Sequence, residues 1–86
     1  MYSISFTTKA RKQIRSLSKQ TLKKLEKQLS LLSENLRHPS LMSQKMGGYN
    51  KWEARIDYHY RFTFVIDENH ITLLTVGMHD SGLGKK

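Results

Sequence analysis

The chain opens with Tyr2-Ser3-Ile4-Ser5-Phe6, an alternation of aromatic or branched residues with serine that predicts a half-buried strand. After Phe6 the period changes. Ala10, Ile14 and Leu17 are spaced four and three apart behind Thr7 and Thr8, either of which can cap a short helix by accepting from a backbone N–H. Ser18-Lys19-Gln20 is a polar break, and beyond it Leu22, Leu25, Leu29, Leu32 and Leu36 form one stripe at steps of three and four. The stripe predicts a second helix that stops at His38-Pro39, because the residue before proline is driven from the helical region and proline has no N–H to donate. It is too short for a coiled coil and reads as a core face, so the two helices form an antiparallel hairpin over a sheet.

Residues 40–50 contain Ser, Gln, Gly47-Gly48 and Asn50 and read as a loop. Three strands come next. Trp52, Ala54 and Ile56 alternate with Lys51, Glu53, Arg55 and Asp57; Tyr60, Phe62, Phe64 and Ile66 alternate with Arg61, Thr63, Val65 and Asp67; Ile71, Leu73 and Thr75 alternate with Thr72, Leu74 and Val76. A turn at Asp57-Tyr58-His59 keeps the apolar sets on one face by pairing Ile56 with Tyr60, Ala54 with Phe62 and Trp52 with Phe64. A second turn at Glu68-Asn69 pairs Ile66 with Ile71 and Phe64 with Leu73, and leaves Arg61 opposite Val76. The expected fold class is α+β: an N-terminal strand, an antiparallel helix hairpin, then a three-stranded antiparallel meander packed on the helices. Residues 1–80 form a single domain and residues 81–86, Ser-Gly-Leu-Gly-Lys-Lys, a flexible tail with nothing to bury.

The same register sets Arg55 against Arg61 on the face away from the helices, ~5 Å apart. Like charges so placed are destabilising unless an anion sits between them or both side chains splay into water, so the pair is either a phosphate site or two solvated arginines. Charge along the chain is lopsided: residues 1–51 hold eleven Lys and Arg against two acids, and residues 52–86 hold four against five. The basic half suits a polyanion such as nucleic acid, the ribosome, an anionic membrane surface or an acidic protein; it is equally read as a solvated lysine-rich face. There are no cysteines, and His38, His59, His70 and His79 have no metal-site spacing, so packing alone must hold the fold. No apolar run suits a membrane span or a secretory signal, and a soluble cytoplasmic protein is expected.

Several short pieces, in order, carry a resemblance. Lys45-Met46-Gly47-Gly48 in the loop, the stretch Trp52 to Arg55, Tyr60-Arg61 entering a strand and Thr75-Val76-Gly77-Met78-His79-Asp80 closing the last one resemble the RelE/ParE superfamily of toxins from type II toxin-antitoxin systems, with its RelE, YoeB and YafQ branches. The resemblance implies a RelE-like fold and an mRNA interferase: a ribosome-associated endoribonuclease, independent of metals and cofactors, that inhibits translation. It implies that Arg61 contacts the scissile phosphate, that His79 is the general acid, and that Arg55 and Lys45 help hold RNA. The chain departs from RelE in lacking its paired strand lysines; Lys51, which stands nearby, is assigned to RNA binding. The general base stays open between Glu53, on the strand face of Arg55, and His59, in the adjoining turn. The partners implied are a cognate antitoxin, the ribosome and messenger RNA. A ParE-like inhibitor of DNA gyrase and a non-catalytic RNA-binding module remain alternatives on the same scaffold. Regular alternation would put His79 on the face away from Arg61, so the strand is expected to end or bulge at Gly77 and turn the residues beyond it.

Overall fold

Thr7 decides where the first strand ends and the first helix begins. Its backbone is extended (φ −73°, ψ 164°), and its Oγ1 accepts from the Ala10 N–H at 3.0 Å while donating to the Leu74 carbonyl at 3.0 Å. One hydroxyl thus caps α1 (Thr8–Arg15) and ties it to the last strand. The computed structural model describes residues 1–46 and 50–78, so His79 and the tail expected at 81–86 lie outside the described residues.

Ser18 caps α2 (Lys19–Glu34) in the same way, its Oγ accepting from the Thr21 N–H at 3.1 Å. Lys19 and Gln20, expected in the break, therefore open the helix. α2 also ends earlier than the proline requires. Asn35 leaves the helical region (φ −152°, ψ 100°) and its Oδ1 accepts from the Arg37 N–H at 3.0 Å, the short polar side chain competing with the next helical turn. Leu36 falls beyond the helix, and Pro39 begins a single 3₁₀ turn, Pro39–Leu41, capped by His38 Nδ1. Leu41 at its end is fully buried.

The face that α2 buries deepest is Thr21, Leu25, Gln28 and Leu32, with Leu22 and Leu29 half-buried beside it. A buried amide at Gln28 requires partners. Its Nε2 donates to the Ser40 carbonyl at 3.0 Å and to the Arg55 carbonyl at 2.8 Å, joining α2 to the 3₁₀ turn and to the sheet.

The sheet has five strands in the order β1-β5-β4-β3-β2: β1 (Ser3–Phe6), β2 (Gln44–Lys45), β3 (Lys51–Arg55), β4 (Tyr60–Asp67) and β5 (His70–Met78). The antiparallel meander β3-β4-β5 is thus extended at both edges. β1 runs parallel to β5, and Gln44 and Lys45, expected in a loop, pair with Glu53 and Trp52 of β3. Each addition supplies hydrogen bonds to an otherwise open strand edge. The core face carries Ala54, Phe62, Phe64, Ile71, Leu73 and Val76 against Leu25, Leu32 and Leu41. No helix among the described residues is long and apolar enough to cross a membrane.

β3 and β4 pair as expected, with Trp52 opposite Phe64, Ala54 opposite Phe62 and Arg55 opposite Arg61. The β4–β5 hairpin begins in the expected register, Ile66 on Ile71 and Phe64 on Leu73, and then slips. Thr63 meets Thr75, which leaves Leu74 as the extra residue of a β-bulge, and Arg61 faces Gly77 instead of Val76. Burial explains the slip. Val76 turns into the core opposite Phe62 and is 2% exposed, while Thr75 Oγ1 comes to 2.6 Å from Thr63 Oγ1 on the other face. A regular ladder would have buried the threonine and exposed the valine. The irregularity expected at Gly77 therefore sits at Leu74, and both Gly77 and Met78 remain paired with β4.

Candidate functional site

The face of the sheet turned away from the core opens into a cleft of about 370 Å³. β3 lines it with Lys51 and Glu53, β4 with Arg61 and Thr63, β5 with Thr75 and Gly77, and α1 with Lys9 and Gln13. The bulge at Leu74 makes this set possible, because it turns Thr75 and Gly77 onto the face that carries Thr63 and Arg61. A Cβ built on Gly77 would meet nothing within 4 Å, so the space across from Arg61 is open.

Arg61 is half-buried and held through its guanidinium. Its Nη1 donates to the Asp57 carbonyl at 3.0 Å and lies 3.4 Å from the Tyr60 carbonyl, which anchors the guanidinium to the β3–β4 turn. That turn is built by Asp57, whose Oδ1 accepts from the N–H groups of His59 and Tyr60, both at 2.9 Å. Its Oδ2 lies 3.2 Å from Lys24 Nζ of α2. Burial pushes the Asp57 carboxyl up, but the two backbone N–H groups and the Lys24 ammonium outweigh it and hold the group below its usual range.

Arg55 faces Arg61 across the strands but does not line the cleft. Its Nε is buried and has no hydrogen-bond acceptor among the described residues, a donor that an anion would satisfy. Glu53 is 7% exposed, accepts from Gln44 Nε2 at 3.3 Å through Oε1, and is the one acid among the described residues that line the cleft, against Lys9, Lys51 and Arg61. Of the expected site residues, Arg61, Glu53 and Lys51 therefore share one cavity. Lys45 is exposed on β2 and outside it, although its neighbour Met46 contributes to the wall. His59 is exposed in the turn, its ring edge-on to Tyr58 at 5.1 Å between centroids, and does not line the cleft. His79, two residues beyond Gly77 in the sequence, lies outside the described residues.

Lys9 and Gln13 were not among the expected site residues. β1 stops pairing with β5 at Leu73, and past that point Gln13 Oε1 accepts the Val76 N–H at 2.7 Å, so α1 closes the strand edge and brings Lys9 to the cleft. Periodicity carries no signal for this contact, since it joins residues 63 apart in the chain.

No family model matches the sequence, and no curated protein matches it. Solved structures do. YoeB in the YoeB-YefM complex from Staphylococcus aureus superposes with a TM-score of 0.75 at 20% identity, over 92% of this chain and 98% of that one. YafQ in the E. coli DinJ-YafQ toxin-antitoxin complex gives 0.79 at 15% identity, over 96% and 98%. The intact E. coli RelBE toxin-antitoxin complex gives 0.74 at 24% identity, over 90% and 95%. In element order, sheet topology and extent, the chain has the fold of the YoeB, YafQ and RelE toxins.

Proposed function

We propose that residues 1–80 form the toxin of a type II toxin-antitoxin pair and that this domain cuts messenger RNA on the ribosome without a metal. The observation that carries the reading is the meeting of Arg61, Glu53 and Lys51 in one cleft on this fold. The reaction is in-line attack of a ribose 2′-OH on its own 3′-phosphate. The 2′-oxygen bonds to phosphorus, the bond from phosphorus to the 5′-oxygen breaks, and the products are a 2′,3′-cyclic phosphate and a free 5′-OH. Three groups are needed: a base for the 2′-OH proton, a cation for the phosphoryl oxygens and an acid for the leaving 5′-oxygen.

Arg61 takes the phosphate, since a guanidinium stays charged and grips two oxygens at once. Arg55, whose Nε–H has no acceptor among the described residues and which stands opposite Arg61, is a further attraction for an anion. Glu53 is the better candidate for the base because it lines the cavity and His59 does not. His79 serves as the acid, an imidazole being able to give up a proton near neutrality. Among the described residues, three cations against one acid around the cleft favour a polyanionic substrate, and the complexes in which structures of this fold occur support an antitoxin partner.

The test is Arg61→Ala on translating ribosomes. Cleavage falls on the order of a hundredfold or more with the fold intact. Undiminished cleavage would remove Arg61 from the mechanism. Wild-type protein that leaves messenger whole and alters DNA supercoiling would identify a gyrase inhibitor instead.

A further inference from the structure

The four cations of α1 are not equivalent. Arg11, Lys12 and Arg15 stand on the helix and none lines the cleft, whereas Lys9 forms part of its wall. Lys9 is placed there by two long-range bonds from its own helix and cap. Thr7 Oγ1 donates to the Leu74 carbonyl, and Gln13 Oε1 accepts from the Val76 N–H, so α1 is fixed to β5 on both sides of Lys9. Among the described residues the ion pair formed is Lys24 with Asp57, which leaves both Lys9 and Lys51 free to meet a ligand.

Lys9 approaches from the β5 side and Lys51 from β3, with β4 and Arg61 between them. Two inter-strand spacings separate β5 from β3, ~10 Å. Among the described residues of the lining, Glu53 is the acid set against Lys9, Lys51 and Arg61, so the net charge facing a backbone is positive.

We infer that Lys9 is a phosphate-binding residue of the cleft, holding a backbone phosphate of single-stranded RNA on the α1 side of the phosphate at Arg61. This rests on the reading of the cleft as an RNA site. Arg11, on the same helix but outside the cleft lining, serves as the comparison.

The experiment measures affinity for a short single-stranded 2′-O-methyl oligoribonucleotide, which cannot be cut by 2′-OH attack, across a series of salt concentrations. It compares the full-length wild type with Lys9→Gln and Arg11→Gln. Removing one phosphate contact from a single strand lowers the slope of log K against log salt by about 0.7. Lys9→Gln is expected to show that loss and Arg11→Gln to keep the wild-type slope. A wild-type slope in Lys9→Gln, or equal losses in both variants, overturns the assignment, the second by reducing Lys9 to bulk charge. Wild-type protein that does not bind the oligonucleotide overturns it too. Cleavage of unmodified messenger is scored in parallel: a Lys9-dependent slope without any cleavage would sink the nuclease and leave the phosphate contact standing.

Discussion

Arg61 faces Gly77 across β4 and β5, one residue further along than a regular ladder would place it. The offset comes from Leu74, three positions before Gly77, and it decides which side chains of β5 share a face with Arg61. The bulge therefore links core packing to the composition of the cleft. Exchanging the two residues after it, Thr75→Val together with Val76→Thr, gives β5 the pattern of an unbulged strand. In the present register the exchange buries a hydroxyl and exposes a valine, and it separates the two threonine hydroxyls. The double variant is expected to lose about 2 kcal/mol or more in urea unfolding. A stability equal to wild type would mean that β5 adopts either register at no cost.

Glu53 and His59 are separated by a second prediction. Glu53→Gln keeps the shape and an amide oxygen that still accepts from Gln44, so the fold should hold. If the carboxylate takes the 2′-OH proton, cleavage falls by about a hundredfold or more, the usual scale for a lost general base. His59→Gln, in an exposed ring outside the cleft, is expected to leave the rate within a few-fold of wild type. Rates on ribosomes for the two variants decide the matter, and the opposite ranking would move the base to the turn.

Gln28 offers a test of stability alone. It is the buried side chain that answers both the Ser40 and the Arg55 carbonyls. Gln28→Leu has similar volume and would continue the leucine-rich face of α2, yet it strands two acceptors in the interior. A loss of about 1–3 kcal/mol is expected, read from denaturant midpoints. A leucine variant as stable as wild type would show that water reaches those carbonyls.

How far the sequence alone reached depends on whether each element is set locally. From Trp52 to Ile66 the alternation keeps one phase, so the register of β3 on β4, and with it Arg55 opposite Arg61, could be read from side-chain parity. In β5 the phase breaks where Leu73 and Leu74 stand side by side. Continuing the old phase put Thr75 inward, although preferring Val76 over Thr75 for the core would have located the bulge. β2 left no trace, since Gln44 and Lys45 are exposed and become a strand through pairing with β3. Lys9 and Gln13 reach the cleft for a similar reason: where α1 crosses the edge of β5 is a tertiary fact. The end of α2 was legible in principle, because Asn35 is a residue whose side chain competes with helix, but His38-Pro39 was the louder signal.

Asp57 connects the pH dependence of the fold to the site, because the turn it builds also holds the guanidinium of Arg61. Its carboxyl sits below the ordinary value of 3.8 in the folded chain and returns to it on unfolding. The charged form is thus favoured by folding. Its contribution is fully present above the unfolded value and is lost as pH falls through the folded one. Asp57→Asn removes the charge while leaving an amide oxygen for the His59 and Tyr60 N–H groups. The variant should be less stable than wild type by up to about 1 kcal/mol at neutral pH, the scale of a partly exposed ion pair with charged hydrogen bonds. The gap should close as wild-type Asp57 takes up its proton in acid. Urea midpoints for both proteins from about pH 7 to about pH 3 measure it. A difference that stays constant over that range would assign the effect to the geometry of the turn and not to its charge.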